Sequence, residues 1–181
     1  LPIDNPLLTK LAKKGISSIP CRFGQSWIWD AVEFHIWHPH EHTRFEKKGS
    51  GKPNEMSCVL EVRNQNTSFW LTGDVEKQGE AEITARLNGD TLEDLEGKEL
   101  VFMAPHHGSK TSSSLDLLTK LGPDIAFAQN GYRNRYGHPH PSPVQAFGYH
   151  AAPCATHETS FNHKRSAPRI RSKRSPSSRR E

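Results

Sequence analysis

Four short apolar segments, each followed directly by turn residues, most constrain the fold of this chain. They are residues 57–63, 67–71, 100–104 and 125–128. Each is rich in Val, Leu, Ile or Phe and is bounded by Gly, Pro, Asn or Asp, which indicates strands with a buried face. Residues 76–87 and 112–121 carry apolar side chains at helical spacing between the later strands. The alternation predicts an α/β fold.

Two more elements are predicted closer to the amino terminus. Pro6 stands at the first turn of a short amphipathic helix, which Gly15 closes. Val32, Phe34 and Ile36 alternate with polar residues, which predicts a strand with one buried face. Residues 38–56 and 130–143 are rich in polar residues, Gly and Pro, and we expect loops there.

Residues 148–181 differ in composition from the rest of the chain. They contain eight Lys or Arg and two Glu, a formal net charge of about +6. Because the whole chain carries +4, residues 1–147 carry about −2, so the basic character does not predict a basic groove on the folded part. A segment this poor in apolar residues is predicted to be a disordered tail or the product of a shifted reading frame. We therefore divide the chain into a domain of residues 1–147 and a tail of residues 148–181.

Neither a membrane span nor a disulfide framework is evident in the sequence. No apolar run approaches the roughly 18 to 20 residues that cross a bilayer, and there is no signal-peptide core, so we expect a soluble piece of a longer protein. Cys21, Cys58 and Cys154 are widely spaced. Their spacing fits neither a metal-binding pair nor an even set of disulfides, and we predict buried or free thiols.

Candidate functional residues follow two of the strands directly. Asp74 follows residues 67–71, and a carboxylate on a tight turn there can bridge two cations; the alternative is an Asx-turn or a helix N-cap. His106 and His107 follow residues 100–104. One imidazole can bind a metal while the other faces substrate, although two solvated loop histidines are the alternative. The carboxyl ends of strands are where α/β folds place ligands.

Two further groups suit contact with an anion. Ser109 and Lys110 come next in the chain and can hold an anionic oxygen. His138 lies in a loop with Arg133 and Arg135, a setting that suits contact with a phosphate and protonation of a leaving oxygen. The alternative for His138 is an ordinary proline-rich turn.

The stretch IWHPHEHT places three histidines, His38, His40 and His42, at alternate positions. The spacing is typical of a metal cluster of the His-x-His kind. A dinuclear His-x-His-x-Asp-His cluster needs a carboxylate next, but Thr43 and Arg44 follow. We interpret this stretch as a solvated loop.

Taken together, these motifs resemble a known domain. They are SxVL at residue 57, FxLTGD at residue 69, PHHGSKTSSS at residue 105 and RYGHPH at residue 135. Over roughly residues 1–147 the chain resembles the carboxyl-terminal metallo-β-lactamase-type domain of the ComEC family of DNA-internalisation competence proteins. An extra histidine that some members place before Thr-Gly-Asp is absent, and Asn54 and Ser57 stand in that region.

The resemblance implies a fold and a site. The fold is a four-layer αββα sandwich of which this chain is the carboxyl-terminal half, because the family's amino-terminal metal-binding cluster has no counterpart here. Two divalent metals, zinc or manganese, are implied, with Asp74 bridging them and His107 as a ligand. The implied catalytic residues are His106, beside the metals, and a set that faces the scissile phosphate: Ser109, Lys110 and His138.

The same resemblance implies a function: part of a metal-dependent phosphodiesterase, a nuclease, acting on DNA during uptake for natural transformation. The implied parent is a polytopic inner-membrane protein, with this domain outside the cytoplasm and without a small-molecule cofactor. We expect little activity from the piece alone, since one Asp and one or two His are too few for two metals. The alternatives are a module that guides DNA without cutting it and another hydrolase of the same fold. A third possibility is that the basic tail binds nucleic acid.

Overall fold

The computed structural model describes residues 5–40, 53–131, 134–146 and 159–162. Within these ranges seven strands form one sheet: β1 (Ser26–Trp29), β2 (Val32–His38), β3 (Val59–Arg63), β4 (Thr67–Leu71), β5 (Glu99–Met103), β6 (Ile125–Ala128) and β7 (Thr159–Asn162). The helices of the same ranges are α1 (Pro6–Lys13), α2 (Lys77–Arg86), α3 (Gly89–Leu95), α4 (Leu115–Leu121) and α5 (Pro141–Ala146). All are too short or too polar to cross a bilayer.

The strands lie side by side in chain order, and most pairs are antiparallel. The exceptions are β4 with β5 and β5 with β6, which pair in parallel. Parallel neighbours need a crossover, which α2 and α3 supply in the first case and α4 in the second. The carboxyl ends of β4, β5 and β6 therefore meet at one edge of the sheet.

One face of the central strands is mostly buried. Its side chains include Val59, Glu61, Ser68, Trp70, Leu100, Phe102, Ala126 and Ala128. They form one core with apolar side chains of α2 and α4, among them Ile83, Leu87, Leu117 and Leu118. The buried carboxylate of Glu61 accepts hydrogen bonds from Trp37 Nε1 (2.9 Å) and Ser68 Oγ (2.8 Å), so it is fully partnered inside this core.

The opposite face is apolar but only partly covered. In register across six strands it carries Trp27, Phe34, Val62, Phe69, Val101 and Ile125. Ile36, which pairs with Leu60 on this face, is buried. None of the six residues in register is buried, and neither are Trp29, Leu60, Leu71, Met103 and Phe127 on the same face. We call this set the open face. Since strands alternate their side chains between faces, its apolar character is as regular as that of the core face.

Most predicted elements are confirmed. The amino-terminal helix, the strand at residue 32, the hairpin, both central helices and the two parallel strands lie within two or three residues of the predicted bounds. β1 and α3 were not predicted. The loop predicted at residues 130–143 contains the start of α5, and most of the loop predicted at 38–56 lies outside the described residues.

Four residues of the predicted tail, 159–162, lie in a strand. These residues form β7, which pairs antiparallel with β6. Without β7, β6 would present a row of unpaired backbone N–H and C=O groups that any extended segment can pair with. Amino-acid composition alone does not predict that a segment pairs with the edge of a sheet. The rest of the tail lies outside the described residues.

The prediction of free thiols is wrong for two cysteines. Cys21 and Cys58 form a disulfide with a Cα–Cα distance of 5.9 Å. They are 37 residues apart, and no local pattern links them. The fold brings them together because residues 21–25 run beside the end of β2, where Phe23 N–H donates to the Pro39 carbonyl at 2.8 Å.

Removing this disulfide should destabilise the chain. The double variant Cys21→Ser, Cys58→Ser should lose about 2–4 kcal/mol of unfolding free energy, because a cross-link restricts the unfolded chain. Urea titration with and without reductant measures the loss. A reductant should lower the stability of the native protein, and of a Cys154→Ser control that keeps the disulfide, to that of the double variant, and should leave the double variant unaffected. Equal stability of oxidised protein and double variant would contradict the expectation.

Candidate functional site

Asp74 and His107 lie side by side at the carboxyl edge of the sheet. Asp74 Oδ1 is 3.5 Å from His107 Nε2, and both side chains are about half exposed, 45% and 50%. His107 Nδ1 is 2.6 Å from the backbone carbonyl of Gln129, just after β6, so Nδ1 carries the proton of the neutral ring. The Nε2 lone pair then faces a carboxylate oxygen. Two facing acceptors need a proton or a cation between them.

The turn that carries Asp74 is fixed from behind by Ser57. The Asp74 N–H donates to Ser57 Oγ at 3.2 Å. Gly73 has φ +55°, and a Cβ there would lie 3.2 Å from Ser57 Cβ. Gly73 also accepts a hydrogen bond at its carbonyl from the His106 N–H, at 2.9 Å. The turns after β4 and β5 are thereby joined.

His106 contacts two residues that the sequence did not single out. Its Nδ1 lies 3.3 Å from Glu76 Oε1, and its Nε2 lies 3.4 Å from Asn54 Nδ2. His106 and His107 both have left-handed backbone conformations, with φ 49° and 57°. Such conformations are costly for residues with a side chain and cluster at functional sites. The only sequence hint of Asn54 was its position where some relatives carry a histidine.

His138 reaches the same edge from the loop after β6. Its ring centre is 6.0 Å from that of His106, and it stacks on Tyr136 at 5.8 Å. Arg135 covers Tyr136 at 4.8 Å from the ring centre. The pKa of His138 is lowered, first by burial and then by the neighbouring positive charge of His106, His107 and His140. His138 is therefore held neutral over a wider pH range than a free histidine.

Gly108 brings the His138 loop onto the histidine turn. It has φ +75°, and a Cβ there would lie 2.7 Å from Pro139 Cβ. Its carbonyl accepts from the His140 N–H at 2.8 Å. Only a residue without a side chain allows both this backbone conformation and this approach.

Gly108→Ala should cost about 2 kcal/mol of unfolding free energy, because the new methyl group adds left-handed strain and overlaps Pro139. Chemical denaturation measures the cost. Gly131→Ala is the matched control, since a Cβ at Gly131 meets nothing within 4 Å. The control should change stability by less than about 0.5 kcal/mol. A similar loss of unfolding free energy in both variants would contradict the expectation that Gly108 is needed for the close approach of Pro139.

Ser109 and Lys110 lie in the turn that follows the two histidines. Ser109 is buried, and its Oγ lies 3.1 Å from Thr111 Oγ1, within the turn. Lys110 is exposed. The structure thus brings Asp74 next to His107 and His106 next to His138. Ser109 is placed inside the turn, and Lys110 lies on the surface beside it.

The interpretation of the histidine-rich stretch as a solvated loop is wrong for His38. His38 ends β2 and is fully buried. Its Nδ1 contacts the Ser57 carbonyl at 2.9 Å, and its Nε2 lies 3.6 Å from Glu82 Oε2. His40 packs against Phe23, with ring centres 4.2 Å apart. His42 lies outside the described residues. The polar residues of this stretch gave no indication that the strand continues to His38.

The described residues fit a divalent metal in part. Asp74 Oδ1 and His107 Nε2 supply a carboxylate oxygen and an imidazole nitrogen, ligand types that zinc and manganese accept. A backbone carbonyl on the other ring nitrogen, as on His107, is a common way to orient a metal-binding histidine. Across the described ranges, however, no group of three or more His, Cys, Asp or Glu is arranged to hold a metal.

The chain is similar to three bacterial proteins over most of its length. It is 34% identical over 115 residues to Competence protein ComA of Neisseria gonorrhoeae, which is 64% of this chain and 15% of that protein. It is 38% identical over 126 residues to Recombination protein 2 of Haemophilus influenzae, 69% and 14% respectively. It is 28% identical over 153 residues to ComE operon protein 3 of Bacillus subtilis, 83% and 18%. No family model matches the chain.

The chain therefore spans between 14% and 18% of the length of these relatives. The predicted likeness to competence proteins of the ComEC type is supported by two of the relatives' names, which carry the words competence or ComE.

Proposed function

We propose that this chain is the carboxyl-terminal half of a metallo-β-lactamase-type, metal-dependent phosphodiesterase domain that acts on DNA during uptake. The observation that carries the proposal is the Asp74–His107 pair, whose two acceptor atoms face each other at 3.5 Å at the carboxyl edge of the sheet. A divalent cation bound by both side chains would remove the repulsion between these two acceptor atoms. It would also place positive charge where a phosphate can bind.

Asp74 and His107 would hold the metal, and a bound divalent metal would supply Lewis-acid polarisation and charge neutralisation for the phosphodiester. The other residues act on the substrate. His138, whose ring centre lies 6.0 Å from that of His106, is proposed to contact a phosphate or leaving oxygen. Exposed Lys110 is proposed to hold a non-bridging oxygen, and buried Ser109 to hold the turn that presents it.

The open face supports a second layer. Eleven apolar side chains on one side of a sheet, with none of them buried, are typical of a surface that packs against another protein surface. A flat sheet face fits another sheet, as in two-sheet sandwiches. We propose that the αββα sandwich is completed by a part of the longer protein outside this chain, which also brings the remaining metal ligands.

A nucleic-acid substrate and an extracytoplasmic site are supported separately. Arg135, Tyr136 and His138 form a stack of a cation and two rings beside the site, with Tyr136 66% exposed. Such stacks suit the phosphates and bases of single-stranded nucleic acid. The Cys21–Cys58 disulfide is typical of proteins outside the cytoplasm. We propose a membrane-embedded parent involved in competence.

The two-ligand set favours one alternative, a module that guides DNA without cutting it. The two functions are separated by a chimera in which this chain replaces the matched segment of Haemophilus influenzae Recombination protein 2. Cleavage of a labelled single-stranded oligonucleotide that requires Mn²⁺ or Zn²⁺ supports the phosphodiesterase. Binding of the oligonucleotide by a folded, metal-loaded chimera without cleavage would support guiding instead.

A further inference from the structure

The two residues before β3 lie directly behind the turn that carries Asp74. The Asp74 N–H donates to Ser57 Oγ at 3.2 Å. A Cβ at Gly73 would lie 3.2 Å from Ser57 Cβ and 3.4 Å from the Cys58 carbonyl oxygen, so the turn packs closely against both residues. A displacement of these two residues therefore removes the support of the Asp74 backbone.

Ser57 and Cys58 lie outside the regular strands. They follow the 3-10 turn Pro53–Met56 and precede β3. The Ser57 carbonyl contacts Nδ1 of the buried His38 at 2.9 Å. Cys58 is joined covalently to Cys21, which stands 37 residues earlier in the chain. The disulfide is therefore a covalent tie on a segment that strand pairing does not hold.

The other end of the disulfide is anchored on β2. The segment that carries Cys21 continues along this strand, where the Gly24 N–H donates to the Ile36 carbonyl at 3.0 Å and the Ile36 N–H donates to the Gln25 carbonyl at 2.8 Å. β2 in turn pairs with β3. The disulfide thus ties the support of the Asp74 turn to the body of the sheet.

The disulfide is accessible to chemical reduction. Cys58 is exposed, and Cys21 is partly exposed. In thiol–disulfide exchange, one thiolate of an external dithiol attacks a sulfur of the disulfide, and the second thiol of the reagent then displaces the mixed disulfide. Two electrons and two protons pass from the dithiol, which becomes a disulfide, to the two cysteines, which become thiols.

We propose that Ser57 is a positioning residue for Asp74, and that the Cys21–Cys58 disulfide holds Ser57 in this role. The edge of the sheet that carries Asp74 is then sensitive to thiols: the turn is held in the oxidised chain and loosened in the reduced chain. The proposal rests on the proposed function for the claim that Asp74 binds a metal. The positioning of Asp74 itself is independent of any metal.

The test is hydrogen exchange of assigned backbone amides in the full 181-residue chain, with Cys154→Ser so that no third thiol takes part. The reference is the Gly137 N–H, another turn amide with a 3.2 Å hydrogen bond. Dithiothreitol should accelerate exchange of the Asp74 amide at least about fivefold more than that of Gly137, because the Asp74 amide loses its acceptor. Ser57→Ala should give the same excess in the oxidised chain. Reduction of Ser57→Ala should add no further excess, since both changes act through one hydroxyl.

The control variant is Ser17→Ala, at an exposed serine, which should exchange like the native chain. Equal acceleration of the Asp74 and Gly137 amides by dithiothreitol would mean that the disulfide stabilises the whole fold without positioning Asp74, and it overturns the proposal. Native exchange of the Asp74 amide in Ser57→Ala overturns it as well. If Ser57→Ala does not fold, the comparison of oxidised and reduced chains decides alone.

Binding of Mn²⁺ connects the same device to the metal. The Mn²⁺ concentration that broadens the NMR signals of Asp74 and His107 should be about tenfold higher in the double variant Cys21→Ser, Cys58→Ser than in the oxidised chain, as expected when a residue that orients a metal ligand is lost. Equal concentrations would overturn the link between disulfide and metal site. Broadening in neither protein would refute the metal site of the proposed function, while the exchange rates still decide the positioning of Asp74.

Discussion

In the chimera with Recombination protein 2, Asp74→Asn should lower the rate of metal-dependent cleavage of single-stranded DNA by at least about 100-fold. Mutation of a residue that only orients a metal ligand already costs about 10–100-fold in metal affinity or activity, and we expect loss of a ligand to cost more. The reason is the position of Asp74: its Oδ1 faces His107 Nε2 at 3.5 Å. Asparagine keeps the size of the side chain but removes the negative charge, so the cation loses its main counter-charge at this edge.

Asp116→Asn is the matched control for this change. Asp116 is exposed in the first turn of α4, and its replacement should leave the cleavage rate unchanged. Single-turnover cleavage across a range of Mn²⁺ concentrations measures both variants. If Asp74→Asn cleaves as fast as wild type at every metal concentration, Asp74 does not hold the metal and the proposed site is wrong.

Glu80→Ala should lower the unfolding free energy by about 4 kcal/mol, because two buried N–H groups each lose their acceptor at about 1–3 kcal/mol. The fully buried carboxylate of Glu80 accepts from the N–H groups of Ser113 and Ser114, at 2.5 Å and 2.7 Å, at the start of α4. Urea unfolding measures the loss. Glu93→Ala, on an exposed part of α3, should change stability by less than about 0.5 kcal/mol.

The pH dependence of stability tests the same group. Burial raises the pKa of Glu80, against a lowering by the hydrogen bonds from Ser114 and Ser113. A raised pKa means that the folded state binds the proton more tightly than the unfolded state does, so this contribution is present at acidic pH and is lost as pH rises from about 4.5 through the folded pKa. Glu80→Gln should lack this slope. An unchanged slope in Glu80→Gln would assign it to other groups.

Local patterns were enough to predict the parallel core of the fold and the edge that carries the site. The runs that became β5 and β6 are short, apolar and followed at once by Pro105 and Gln129, so both strand ends were evident. Because parallel strands end at one edge, the nearness of Asp74 to His107 followed from topology. The open face also follows from alternation, although the sequence does not say which face is covered.

The rest depends on contacts between residues that are distant in the chain. Ser114 stands at the N-cap position of α4 but makes no side-chain cap, and Glu80 from α2 takes that place. Glu76 and Asn54 became neighbours of His106 only through the turn after β4 and a 3-10 turn at Pro53–Met56. Local periodicity contains no information on such pairs, nor on the disulfide.

The most direct test of the metal site is anomalous diffraction from crystals of this chain soaked in millimolar Mn²⁺. The account predicts a manganese peak in contact with both Asp74 Oδ1 and His107 Nε2, and its loss in Asp74→Asn crystals. Asp74 and His107 in direct ion-paired contact at every manganese concentration, with no peak between them, would contradict it.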